Sequence, residues 1–269
     1  MDVFEEIVRL RKAGRVCAFA VITACSGSTP RKEGTRMLVR DDGTTAGSLG
    51  GGVLEAMVVR EAVEAMKDRA LRTVTADLAG DGDSGGACGG RVQVVIDPVV
   101  PDAQLVVIGA GHVGTALARV ARFSGFRVVI ADDRRDFLEK TDPEGCHDYE
   151  TLVIDDYGDA LRDIRSGPDT FIVVCTRSHK FDLDALRGAI CTGAPYIGVL
   201  GSRRKRRMMF DRLRRDAFSE EDLERVKTPV GLSIGARTPE EIAVSIAAEL
   251  IQFRHRALHD QSLSSCCDR

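Results

Sequence analysis

Residues 104–134 read QLVVIGAGHVGTALARVARFSGFRVVIADDR, and this stretch decides the fold. An apolar run, Leu105 to Ile108, passes through Gly109, Gly111 and Gly114 into a helical stretch, Val113 to Phe123, and returns as a second apolar run, Val128 to Ala131. The order is strand, glycine turn, helix, strand. One glycine permits the tight turn, the next lets backbone amides approach a pyrophosphate, and the third lets the helix lie close to the strand. A diphosphate would then rest on a helix N-terminus, where free N–H groups and the dipole favour an anion. Asp132 and Asp133 end the second strand, where a carboxylate can accept hydrogen bonds from ribose hydroxyls. These features predict a Rossmann-type unit with a dinucleotide site. Asp132 would repel a 2′-phosphate, whereas Arg134 and Arg135 would accept one, so the choice between NAD and NADP stays open.

The alternation continues beyond Asp133. Strands are expected at 152–154, 171–175 and 196–200, and helices at 157–164, 183–190 and from Ser202 onward. That rhythm predicts a parallel sheet with helices on both faces. Ligands in such sheets bind beyond the carboxyl ends of the strands. The loops to inspect are therefore Arg177-Ser-His-Lys180 and Gly201-Ser-Arg-Arg-Lys205, both cationic. Arg177, His179, Lys180, Ser202, Arg203 and Lys205 become candidate cofactor contacts; a solvated loop histidine and a solvated helix start are the bland alternatives. Near the C-terminus, Thr238-Pro-Glu-Glu241 has capping-box spacing, and Ile242, Ile246, Leu250 and Phe253 form one packing face of the helix that follows.

Ahead of this region lies an α+β unit of about 100 residues: a helix over 2–14, strands at 16–24, 36–40, 71–76 and 92–96, and a helix over 53–69. Pro98 and Pro101 are expected to bracket a linker. The fold class is α/β, with domains at 1–100 and 101–260 and a polar, frayed tail at 261–269. Three loops of the first domain are rich in glycine or hydroxyls: Ser26-Gly-Ser-Thr-Pro-Arg31, Gly47-Ser-Leu-Gly-Gly-Gly52 and Gly85-Gly-Ala-Cys-Gly-Gly90. Such loops cost conformational entropy, and several in one small domain point to a ligand. The second precedes a helix and offers exposed amides as another anion cradle.

Composition narrows the classes. With 269 residues, 43% hydrophobic and 29% charged, the chain reads as an ordinary globular protein. Its net charge of −3 gives no global attraction to nucleic acid or an anionic membrane. No apolar run reaches the roughly 20 residues that span a bilayer, and Met1-Asp-Val-Phe-Glu-Glu6 lacks the basic start of a signal peptide, so a cytoplasmic location is expected. Eight scattered cysteines form no CxxC pair with zinc spacing. Cys17 and Cys175 sit in strand-like runs and should be buried thiols. Cys88 sits in a glycine loop unsuited to packing, which singles it out, while Cys266 and Cys267 lie in the tail.

Taken in order, Ser26-Gly-Ser-Thr-Pro-Arg31, Gly50-Gly-Gly52 with Glu55, Cys88-Gly-Gly90, Gly109-Ala-Gly-His-Val-Gly114, Asp132-Asp-Arg134, Thr176-Arg-Ser-His-Lys180, Gly201-Ser-Arg-Arg-Lys205 and Pro229-Val-Gly-Leu-Ser-Ile-Gly235 resemble the XdhC/CoxI family over nearly the whole chain. The resemblance implies an XdhC-type N-terminal domain before the Rossmann domain and a homodimer. It also implies a maturation factor that binds the molybdenum cofactor, protects it during sulfuration by a cysteine desulfurase, and delivers it to a molybdenum hydroxylase apoenzyme such as xanthine dehydrogenase. That reading favours a cofactor chaperone over a turnover enzyme. It makes Cys88 the candidate molybdenum or sulfur contact, with Ser26, Ser28, Arg31, Gly50, Gly51, Gly52, Glu55 and Gly89 as candidate cofactor contacts. The pattern departs at Val53, where many relatives carry Cys or Ala, so no thiol is available at that loop. Two other readings remain: an NAD(P)-dependent oxidoreductase acting on a small molecule or tetrapyrrole through Arg177, His179 and Lys180, and a nucleotide-sensing interaction protein using the helix from Thr238.

Overall fold

A computed structural model describes residues 2–78, 90–141, 149–161, 164 and 166–264, with side chains described as far as 255 in the last helix. Cys88, Gly89, Cys146, Cys266 and Cys267 lie outside the described residues. The chain divides into two compact units, residues 1–101 with 257–269, and residues 102–256.

The first unit is built on an antiparallel sheet of five strands: β1 (Cys17–Ser26), β2 (Arg36–Arg40), β3 (Thr45–Gly47), β4 (Arg72–Leu78) and β5 (Gly90–Val99), in the order β3-β2-β1-β5-β4. Period-two alternation sorts β1 and β2 onto two faces. Ala18, Ala20, Ile22, Met37 and Val39 face α2 (Gly52–Asp68) through Leu54, Val58, Ala62, Ala65 and Met66. Cys17 and Leu38 point the other way, into Leu10 of α1 (Val3–Lys12). Glu6, on α1, is buried but not unpaired: it accepts from Arg9 (2.6 and 2.8 Å) and Arg40 (2.8 Å), which hold its carboxyl down at about 2. Pro98 belongs to β5 rather than to a linker. Pairing with β4 ends at Ile96, so the missing proline N–H falls where β5 has a neighbour on one side only.

The second unit holds six parallel strands: β6 (Gln104–Ile108), β7 (Arg127–Asp132), β8 (Glu150–Val153), β9 (Thr170–Val174), β10 (Tyr196–Val199) and β11 (Val226–Lys227). Their order is β11-β10-β9-β6-β7-β8, which reverses direction between β6 and β9. That is the doubly wound order of a Rossmann sheet, with its ligand crevice at the reversal. The continuous apolar strands are explained by cores on both faces. One core joins Ile108, Ile172 and Val199 to Leu186 of α5 (His179–Ile190) and Leu213 of α6 (Arg203–Arg215). The other joins Leu105, Val107 and Val173 to Leu117 of α3 (His112–Phe123) and to Ile246 and Leu250 of the last helix.

Short elements were not legible in advance: β3, α4 (Arg135–Thr141), α7 (Glu220–Glu224) and β11. The helix expected from Tyr157 is not formed over 157–161, which are turns. Gly158 N–H donates to Asp156 Oδ1 at 2.7 Å, a local bond that competes with helix geometry, while Tyr157, Ala160 and Leu161 still bury their side chains. The last helix, α8 (Pro239–Ser264), has the expected capping box: Glu241 N–H donates to Thr238 Oγ1 at 3.3 Å and Thr238 N–H to Glu241 at 3.1 Å. It continues past Phe253 to Ser264. No helix is long and apolar enough to cross a membrane, among the described residues.

Candidate functional site

In the first unit, two of the glycine-rich loops and the foot of the third come together on one rim. A Cβ on Gly50 would lie 2.8 Å from Pro30 and 3.4 Å from the Arg31 side chain. One on Gly90 would lie 2.3 Å from the Ser28 carbonyl oxygen and 2.7 Å from Thr29. Glycine is therefore required at both positions for the Ser26–Arg31 loop to pack against its neighbours. Gly90 pairs with Leu78, and these two residues flank in sequence the segment that carries Cys88 and Gly89. Gly51 and Gly52 adopt positive φ and have nothing within 4 Å of a built Cβ, which leaves their outer side open. Arg31 is exposed and its guanidinium has no acidic partner among the described residues.

Glu55 has a different place from the one expected. Its Oε1 accepts from Ser48 Oγ (2.6 Å) and from the backbone N–H of Leu49 and Gly51 (2.8 Å each), and these donors lower its pKa. The loop's amide cradle is thus occupied by the chain's own carboxylate. Cys25, which sequence reasoning passed over, sits partly exposed beside Arg31, its Sγ 3.6 Å from the Arg31 carbonyl oxygen. The available signal was its position at the junction of an apolar strand and a hydroxyl-rich loop.

In the second unit the glycine turn has the expected division of labour. Gly109 has φ +117° and a Cβ there would lie 2.5 Å from the Cys175 carbonyl; one on Gly114 would lie 1.9 Å from the Gly109 carbonyl; Gly111 faces open space. Cys175 is buried and donates to Gly109 O at 3.4 Å, and burial pushes its thiol up to about 12. Cys17, the other buried thiol, rises to about 11 for the same reason.

The acidic pair departs from the sequence reading. Asp132 is wholly buried and accepts from Ala110 N–H (2.7 Å), Arg134 N–H (3.0 Å) and the Arg134 guanidinium (2.8 and 2.9 Å). Arg134 in turn lies over Phe137 at 3.6 Å. Asp133 accepts from Tyr157 Oη (2.9 Å) and from both guanidinium nitrogens of Arg177, one at 2.6 Å, and Arg177 holds its carboxyl far below the usual range. Because β6 lies between β7 and β9, this ion pair crosses the carboxyl end of β6 and the mouth of the crevice. Asp132 is shut away from any ribose, and Asp133, 23% exposed, is already paired with Arg177. The reason is tertiary: each finds a cation from its own chain at hydrogen-bond distance.

Lys205 is internal as well. Its Nζ donates to Asp182 (2.5 Å) and to Leu200 O (2.6 Å), while Asp182 accepts from Thr176 N–H (3.1 Å) and Oγ1 (2.9 Å). This tie fastens the loop after β10 to the loop after β9. His179, Lys180, Ser202 and Lys205 nonetheless line one cavity of about 490 Å³ between α5 and α6, together with Arg204. Arg203 is exposed nearby and does not line it. A second cavity of about 410 Å³ flanks α3, lined by Gly111, His112, Arg119, Phe137 and Lys140 among others. No cluster of three or more His, Cys, Asp or Glu suited to a metal occurs among the described residues.

Comparison with known proteins gives two family matches: the XdhC Rossmann domain over residues 105–250, and the XdhC and CoxI family over residues 10–77. The chain is 36% identical to YqeB, an uncharacterized protein of Escherichia coli K12, over 96% of its own length but only 47% of that protein's. It therefore spans about half the length of this relative. It is 23% identical to the molybdenum cofactor insertion chaperone PaoD of the same organism, over 93% of this chain and 87% of the relative. A solved structure described as a xanthine dehydrogenase from Bacillus halodurans superposes with a TM-score of 0.51 at 24% identity, covering 95% of this chain and 96% of the other, which supports the fold.

Proposed function

The chain belongs to the XdhC and CoxI family, and on that premise we propose that it binds the molybdenum cofactor and inserts it into a molybdenum hydroxylase apoenzyme such as xanthine dehydrogenase. In this reading the protein shields the cofactor while a cysteine desulfurase sulfurates it, and works as a homodimer. Its two compact units correspond to an XdhC-type domain and a Rossmann domain. The observation that carries the proposal is the convergence of Ser26–Arg31, Gly50–Gly52 and Gly90 on one rim, with the Cys25 thiol and Arg31, which has no acidic partner among the described residues, beside an open glycine backbone.

That donor set suits the cofactor, which when bound supplies a phosphate, a pterin edge and a dithiolene-held metal. Arg31 holds phosphate or a pterin oxygen. The open side of Gly51 and Gly52 admits a flat ring close to the backbone. Ser26 and Ser28 frame the rim, and Glu55 keeps the triple-glycine loop in shape rather than meeting the ligand. Cys88, with Gly89 beside it, is the proposed contact to molybdenum or its terminal sulfur, and Arg31 favours the thiolate form required of a soft ligand.

The test is anaerobic loading of the purified protein, read as pterin and molybdenum retained after gel filtration. Wild type is expected to retain both near-stoichiometrically, Cys88→Ala to lose metal, and Arg31→Gln to lose affinity. Retention by neither wild type nor variants would overturn the proposal. The strand order and glycine turn of the second unit favour a second reading, an NAD(P)-dependent oxidoreductase. A dinucleotide crossing the crevice would have to part Arg177 from Asp133, and substrate-dependent NAD(P)H turnover is the observation that would establish it.

A further inference from the structure

Some cations of the second unit are paired within the chain and others are not. Arg134, Arg177 and Lys205 are each neutralised by a carboxylate of the chain. Lys180 and Arg204 have no acidic partner among the described residues, and both face the cavity between α5 and α6. His179 faces it as well, and no aspartate or glutamate lines it. The lining is therefore anion-selective by charge. One turn further along the same two helices, Leu183, Met208 and Met209 give the cavity an apolar part. Met208 is 62% exposed, so its side chain is accessible to a ligand in the cavity. The volume, about 490 Å³, lies in the range of small-molecule sites.

The local sequence breaks a helix rule here. A helix N-terminus favours acidic residues, yet the first turn of α6 contains none and carries Arg203, Arg204, Lys205 and Arg206. Among the described residues, only Lys205 of these has an acidic partner. A local rule broken without compensation from within the protein is what a binding site requires of its ligand.

We propose that this cavity binds a phosphorylated flat ring, with Lys180, Arg204 and His179 on the phosphate and Met208 and Leu183 against the ring face. A pterin phosphate and a nucleotide share that chemistry. The site proposal rests on the cavity; only the identity of the pterin ligand rests on the family function proposed above.

Equilibrium titration of the full chain with inorganic pyrophosphate, AMP and an oxidised pterin phosphate tests it without molybdenum. All three should bind saturably, the ring-bearing probes more tightly. Lys180→Gln with Arg204→Gln should weaken every probe at least about tenfold, as expected for loss of charged hydrogen bonds. Met208→Ala should weaken AMP and the pterin phosphate but leave pyrophosphate unchanged. Arg60→Gln, exposed on α2 and outside this cavity, should leave all three unchanged. Lys180 and Arg204 are exposed and have no acidic partner among the described residues, so the double variant should melt like wild type, which separates lost binding from lost folding. Tighter binding of the pterin phosphate than of AMP would assign the pterin, and the reverse a nucleotide. Absence of saturable binding by wild type, or equal binding by the double variant, would overturn the site. Failure of the molybdenum cofactor to bind wild type, with pyrophosphate still bound here, would sink the family function and leave the cavity standing.

Discussion

The glycine turn before α2 and the glycine turn before α3 look alike in sequence and end up alike in chemistry, but by different routes. Before α2, Glu55 reaches back a few residues to take the amides of Leu49 and Gly51. Before α3, Asp132 arrives from the end of a neighbouring strand to take the amide of Ala110. Each turn thus has an internal anion where a ligand anion was expected. The first cap is local and exposed on one side; the second is buried and depends on the sheet. Cations with no acidic partner among the described residues border the candidate sites instead, Arg31 in one unit and Lys180 and Arg204 in the other.

The largest difference should appear on adding a methyl group to each turn. Gly114→Ala drives Cβ to 1.9 Å from a backbone oxygen and should cost about 3 kcal/mol or more. Gly51→Ala meets no atom within 4 Å and should cost only the backbone strain of φ 82° and ψ −175°, a region nearly confined to glycine, about 1–3 kcal/mol. Chemical denaturation checks both, and equal costs would break the comparison.

Removing the internal anions should give the next largest contrast. Asp132→Asn strands a partly buried Arg134 and weakens the Ala110 bond, for a loss of roughly 3 kcal/mol. Glu55→Gln weakens a loop cap, for a loss of about 1 kcal/mol. If Glu55→Gln proved the costlier, the local cap would have been undervalued.

Glu6 sharpens the picture through pH, because it holds side-chain cations instead of amides. Its folded pKa, about 2, lies below the unfolded value near 4.5. Its stabilisation is therefore fully present above about pH 4.5 and is lost as pH falls toward 2. Glu6→Gln should be less stable than wild type at pH 7, and the gap in melting temperature should close below about pH 2. A gap independent of pH would show that the Arg9 and Arg40 pairing is not the source.

The smallest effect concerns thiols. Alkylation of the native protein at pH 8 should modify Cys25 and Cys191 well before Cys17 and Cys175, whose burial raises their pKa to about 11 and 12. Peptide mapping by mass spectrometry reads the order, and early labelling of Cys175 would contradict the closed turn at Gly109.

The regular elements were legible because period-two and helical patterns are local. Strand β2 and the capping box of α8 emerged where expected, and the starts and ends of most long elements moved by only a few residues. The short elements were not, since α4, α7 and β11 bury too few residues to impress a period on the sequence. The candidate site residues were legible as residue types. Their partners were not: Asp133 and Arg177 are far apart in the chain and adjacent only because β6 lies between the strands that carry them.

By itself, then, the sequence determined the α/β class, the glycine turn, the buried thiols and the family, all of which rest on neighbours in the chain or on motif order. Only tertiary structure decided which charges are spent and which remain free. Hydrogen bonds and ion pairs form at about 3 Å, and proximity on that scale between residues such as Asp182 and Lys205, or Asp133 and Arg177, is created by strand order and helix packing rather than by spacing along the chain.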